Sequence, residues 1–161
     1  MAERDSNHHR FTHYKIKWRS KLDLLIWSHI YSVGNDEIDQ QHQKLMQLIN
    51  TLYHAQYSGS STQVSTILRE LVDYTVYHFQ AEEKIQQAFQ YPEYSRHKQI
   101  HIDLIQEVSG YVDQLQKEDE TIKERLMVFL SEWLKNHILG EDKKLGKFIR
   151  DSKNTDQYED L

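Results

Sequence analysis

Apolar residues recur along most of this chain at steps of three and four, the period of helices that bury one face. Between about Asp36 and Tyr57 the stripe is Ile38, His42, Leu45, Ile49 and Leu52. After the turn Ser58-Gly59-Ser60, a second stripe holds Val64, Leu68, Leu71, Thr75, His78, Glu82 and Ile85, on a helix that runs to about Phe89. Ser60 and Gln63 stand at capping-box spacing at its start. Pro92, the only proline, marks a corner, because proline ends one helix readily and opens the next. A third helix, from about Glu93 to Lys117, turns His97, His101, Leu104, Val108, Tyr111 and Leu115 inward. A fourth begins near Glu120 or Thr121 and carries Ile122, Leu126, Phe129, Leu130, Trp133, Leu134 and His137. The connections are short, so successive helices are expected to be antiparallel neighbours. The expected fold is all-α, an up-down-up-down four-helix bundle, with a short helix at about 144–150 packed on it.

The flanks differ in character. Residues 1–25 read as a basic N-terminal extension, 26–150 as the bundle and 151–161 as a polar C-terminal tail. Arg4, Arg10, Lys15, Lys17, Arg19 and Lys21 face only Glu3 and Asp5 in the first 21 residues, and the run YKIKWRS alternates apolar with basic. That suits a short strand, an adhesive arm or a solvated tail. His8, His9 and His13 belong to this lead and are read as having no metal role. A protein partner or a membrane surface could meet residues 1–24 through their charge. Trp27 to Asn35 reads as a loop lying across the domain.

Composition narrows the function. A chain of 161 residues with 28% charged and 38% hydrophobic positions is long enough for one domain with a real core. A net charge of −5 gives no general case for nucleic-acid binding. With no cysteine, thiolate metal sites, disulfides and cysteine nucleophiles are excluded. No stretch has the apolar core of a signal peptide or the length to cross a bilayer, so a cytoplasmic protein is expected.

Histidine changes the picture most, at 10 residues. A lone histidine on an apolar stripe is usually a satisfied core residue. Here His42, His78, His97, His101 and His137 lie on core stripes with Glu82. Burying an unpaired carboxylate costs several kcal/mol, about 5 or more, and each unpaired imidazole adds to it. A bound cation removes the conflict, since it takes neutral imidazoles and ionised carboxylates as donors. The pairs His78/Glu82 and His97/His101 are spaced i, i+4, on one face of each helix. His42 and the pair His97/His101 come early in their helices; His78, Glu82 and His137 come late. In an antiparallel bundle these positions converge on one layer. Asp142 follows His137 by five residues, which a regular helix would turn roughly 140° away; a π-bulge near Gly140 would bring the two into line. Five imidazoles and two carboxylates exceed one four-coordinate zinc and suit two transition-metal ions, iron better than magnesium or calcium.

The strings IDQQH at 38–42, HFQAEE at 78–83, YPEYSRHKQIH at 91–101 and HILGED at 137–142, with the opening WSHIYSVGNDEIDQQH, closely resemble the hemerythrins, most nearly the single-domain bacterial ones. The resemblance covers about Trp27 to Ile149. It implies a non-haem di-iron centre, oxo- or hydroxo-bridged, with dioxygen as ligand. By position, one iron would take His97, His101 and His137; the other would take His42 and His78 and keep one position open. Glu82 and Asp142 would bridge them. Leu134 and Leu104, each one turn from a ligand histidine, would wall a dry dioxygen pocket. Phe79, Met46 and Trp133 are further candidates, better read as ordinary packing. His29 and His54 fall off the ligand stripe, and Glu83 is expected to be solvated.

Reversible dioxygen binding, for carriage, storage or delivery, is the expected function, and not an enzymatic one. An oxygen or redox sensor acting through a separate partner is the alternative. A di-iron oxidase or peroxidase fits less well, because the Glu-x-x-His pairs of ferritin-like oxidases occur nowhere in the chain. Two fixed sites would make a poor iron store.

Overall fold

The four long helices form where their stripes place them. The computed structural model describes residues 22–115 and 120–159. The expectations for residues 1–21, for 116–119 and for the last two positions lie outside the described residues. After a 3₁₀ turn at His29–Tyr31 come α1 (Asp36–Ser58), α2 (Ser61–Ala88), α3 (Tyr94–Leu115) and α4 (Glu120–His137). A π-helical turn at Ile138–Asp142 leads into α5 (Lys143–Glu159). Among the described residues there is no strand, and no helix is long and apolar enough to cross a membrane.

Local chemistry sets the helix starts. The Asn35 side chain accepts hydrogen bonds from the backbone N–H groups of Glu37 and Ile38, and Asp36, Glu37 and Asp39 place negative charge on the positive end of the α1 dipole. Ser60 and Gln63 form both bonds of the capping box that opens α2. The four long helices pack as a ring, α1 on α2, α2 on α3, α3 on α4 and α4 back on α1. Between them lies one core, built from Leu45, Ile49 and Leu52 of α1, Leu68 and Leu71 of α2, Leu104 and Val108 of α3, and Leu126, Leu130 and Leu134 of α4.

The last helix corrects the sequence pattern. It was expected over about 144–150, with a polar tail from Asp151, yet the helix continues to Glu159. Its apolar anchors, Leu145 and Ile149, form a small second cluster with Tyr91. Beyond them the residues are polar, so no hydrophobic periodicity marked the continuation.

The loop before α1 is tied down by polar groups. Asn50 of α1 accepts a hydrogen bond from the Leu25 N–H at 2.9 Å and donates to the Leu25 carbonyl at 2.7 Å. Asp39 accepts from the Val33 N–H at 2.8 Å and from the Ser32 hydroxyl at 2.6 Å. Replacing Asn50 by alanine leaves both polar groups of buried Leu25 without their partner, an expected loss of about 2 kcal/mol in urea unfolding. Arg150 of α5 donates to the Val33 carbonyl at 2.8 Å. Gly146 lies against that same carbonyl: a Cβ there would stand 2.1 Å from the Val33 oxygen and 3.1 Å from its carbon. Backbone on both sides cannot yield cheaply. Gly146→Ala should therefore cost about 3 kcal/mol, read as a lower thermal midpoint with the loop opened to protease.

Candidate metal centre

A corner between α2 and α3 builds half of the site. Gln90 ends α2 with φ at 50°, a left-handed conformation usually left to glycine or asparagine. The Tyr91 N–H then reaches back to the Gln86 carbonyl at 2.9 Å, closing the helix end. Pro92 follows, and α3 starts two residues later, antiparallel to α2. Glu82, late on α2, thereby meets His97 and His101, early on α3, with His78 one turn before it. One Glu82 oxygen lies 3.4 Å from His101 Nε2 and 3.6 Å from His97 Nε2.

The π-helical turn builds the other half. It absorbs one extra residue per turn, so Asp142 faces the same way as His137. Asp142 Oδ1 is 3.1 Å from His137 Nε2 and 3.2 Å from His97 Nε2, while its other oxygen is 3.2 Å from His42 Nε2. One carboxylate therefore spans two groups of imidazoles.

The structure brings together all seven side chains that the sequence singled out as metal donors. Glu82, His97, His101 and His137 form one group, and His42, His78 and Asp142 the other, the donor atoms within each lying within 4.8 Å of one another. All seven residues are buried. His137 Nε2 stands 3.0 Å from His101 Nε2 and 3.1 Å from His97 Nε2. Spacing near 3 Å is that of adjacent donors on an ion bound at about 2.1 Å. Both oxygens of Glu82 and Asp142 and the Nε2 atoms of His42 and His78 are buried and crowded by other donor-type atoms, yet no well-formed hydrogen bond satisfies them. Native interiors rarely leave so many polar atoms unmatched. A cation fits this donor set, since it takes neutral imidazoles and ionised carboxylates together.

A family model described as the hemerythrin HHE cation binding domain matches residues 33–149. The chain belongs to the hemerythrin family. It is similar to the bacteriohemerythrin of Stenotrophomonas maltophilia (strain R551-3), with 38% identity over 121 residues, 75% of this chain and 78% of that protein. The hemerythrin-like protein of Naegleria gruberi is 34% identical over 118 residues, 73% of this chain and 87% of its own length. A crystal structure of wild-type hemerythrin matches 77% of this chain and 96% of its own, at 25% identity and a TM-score of 0.68.

Around this hemerythrin cluster, two residues that the sequence reading missed touch the outer nitrogens of the histidines. Gln41 Oε1 is 2.9 Å from His78 Nδ1, and its amide nitrogen donates to Glu37 at 3.3 Å. Glu83 corrects an expectation: instead of standing solvated, it is mostly buried, 3.3 Å from His101 Nδ1 and 3.1 Å from the Lys98 ammonium. Its position one residue past Glu82 turns it off the stripe, toward the seam between α2 and α3. No local pattern distinguishes that seam from open solvent.

Rings brace the imidazoles as well. Phe79 stacks flat on His101, centroids 3.7 Å apart, and Trp133 stacks on His137 at 4.3 Å. Met46, Leu104 and Leu134 are buried in the main core. His29 is exposed, and His54 is partly exposed and paired with Asp23 at 2.9 Å; neither joins the cluster.

Burial and mutual charge pull the titrating groups apart. Burial, with His42 beside it, drives His78 well below the ordinary histidine value, which keeps its imidazole neutral. Burial and the neighbouring Asp142 charge raise Glu82. Burial would also raise Asp142, but the imidazoles of His137, His42 and His97 outweigh it and hold that carboxyl well below the usual range. Burial opposes charge on His97 too, yet Asp142 and Glu82 overcome it and raise its pKa. Without a cation, protons do part of the work for which these donors are arranged.

Proposed function

We propose that this chain binds dioxygen reversibly at a pair of iron ions held by His42, His78, Glu82, His97, His101, His137 and Asp142. The observation that carries this reading is Asp142, whose two oxygens face different imidazole groups within one buried cluster. His97, His101 and His137 would hold one ion and His42 and His78 the other, with Glu82 and Asp142 joining the two. The smaller imidazole set would leave room for an outside ligand. When bound, a ferrous pair supplies the electrons that let dioxygen attach and leave again.

The protein's own contribution is placement and dryness. Leu104 and Leu134, each one turn from a ligand histidine, would wall the pocket against water, which otherwise promotes loss of bound oxygen and oxidation of the irons. Phe79 and Trp133 keep the rings of His101 and His137 from turning. Imidazole nitrogen dominates the donor set, and strongly oxidised iron is favoured instead by anionic oxygen donors. The centre is thus suited to binding dioxygen rather than cleaving it, and no catalytic residue is assigned.

Metal analysis together with an optical spectrum, taken with and without air, tests this. Protein loaded with two ferrous ions should be colourless, colour in air and fade under vacuum. Irreversible bleaching, or steady oxygen consumption with a reductant, would replace the carrier with an enzyme.

A further inference from the structure

One ion pair on the outside of the cluster reaches a ligand histidine by a single contact. Glu83 Oε1 is 3.3 Å from His101 Nδ1, and Glu83 Oε2 accepts from the Lys98 ammonium at 3.1 Å. The Glu83 side chain is 17% exposed and that of Lys98 43%. One carboxylate is therefore divided between an interior ring and a surface cation. His78 has a neutral counterpart, since its outer nitrogen faces the Gln41 amide.

We propose that Glu83 is a positioning residue of the metal centre and that Lys98 opposes it. A carboxylate at Nδ1 holds the proton there and leaves the Nε2 lone pair free, facing Glu82 and His137. It also enriches the ring in electron density and makes it a stronger donor. The Phe79 stack fixes the ring plane, but a flat apolar face cannot choose between the two nitrogens. Lys98 draws negative charge from the same carboxylate and weakens its hold on His101. Lys98 also donates to the Tyr94 hydroxyl at 3.3 Å, so it keeps a partner when Glu83 changes. The inference rests on His101 being a metal ligand.

The test is the rate at which the full chain, loaded with ferrous iron under anaerobic conditions, gives up iron to a chelator. Glu83→Gln keeps the shape and an acceptor but loses the charge, and should speed iron loss about tenfold. Lys98→Met should slow it about twofold to threefold, the scale of an exposed charge. Both substitutions delete the same ion pair. If the pair only braced α2 against α3, both would speed iron loss and both would lower the thermal midpoint of the metal-free chain, and the proposal would be overturned. The double variant should match Glu83→Gln alone, because Lys98 acts only through Glu83. Wild-type protein that takes up no iron refutes the metal reading itself. Wild-type protein that binds two irons, beside a Glu83→Gln variant that releases them at the wild-type rate, refutes this inference alone.

Discussion

Stripping the loaded protein of metal is expected to lower its thermal midpoint by about 10 °C at pH 7.5. Seven donors are buried in one layer, and in the metal-free chain their mutual repulsion and lost hydration are only partly relieved by protons. A ligand that binds the folded chain alone stabilises it by about 4 kcal/mol at a thousand times its dissociation constant. For a chain of this size each kcal/mol moves the midpoint by roughly 2–4 °C. Acid should narrow the gap. Metal needs neutral imidazoles, so ions are lost as these protonate. The metal-free chain weakens in the same direction through His78, whose folded pKa lies well below 6.5. Its contribution is complete above that unfolded value and is lost as pH falls from there through the folded one. Asp142, also depressed, adds a loss at still lower pH. Raised groups act oppositely: the contributions of His97 and Glu82 are present on the acid side and fade as pH rises. Calorimetry with and without chelator at pH 7.5 and 5.5 reads all of this. Equal midpoints at pH 7.5 would mean that no ion holds the cluster.

His78→Ala should cut bound iron from two equivalents to about one. The group that contains His78 has only His42 as a further imidazole, so the change leaves one imidazole and the carboxylates shared with its neighbour. The other group keeps His97, His101, His137 and Glu82 intact. Alanine also removes the partner of Gln41, whose amide then faces a small cavity. Folding should survive, because the lost ring is a neutral imidazole whose charged form burial disfavours. Iron analysis of the purified variant decides the matter: two equivalents retained would remove His78 from the ligand set, and none would mean that the two groups bind only as a unit.

Helix positions were legible because periodicity is a local property. Ile38, Leu45 and Leu52 mark the inner face of α1 whatever they pack against, and the same steps of three and four put His42 on that face. Antiparallel order then sends all the donors to one end. The step of five from His137 to Asp142 misaligns on a regular helix, so the sequence asked for a π-bulge there, and the turn at Ile138–Asp142 supplies it. The polar continuation of α5 was not, because a helix with little apolar surface carries no stripe to read.

The sequence by itself determined which side chains lie on the inner faces, in what order the helices follow, and that imidazoles and acids gather in one layer. Only the tertiary structure decided that Asn50 pins Leu25, that Gly146 receives Val33, and that Gln41 and Glu83 take the outer nitrogens of His78 and His101. The reason is range. Residues three or four apart are neighbours on any one helix, whereas His78 and Gln41 are 37 residues apart and His101 and Glu83 are 18. Such contacts depend on the rotation and height at which two helices cross, and packing of the whole core sets those.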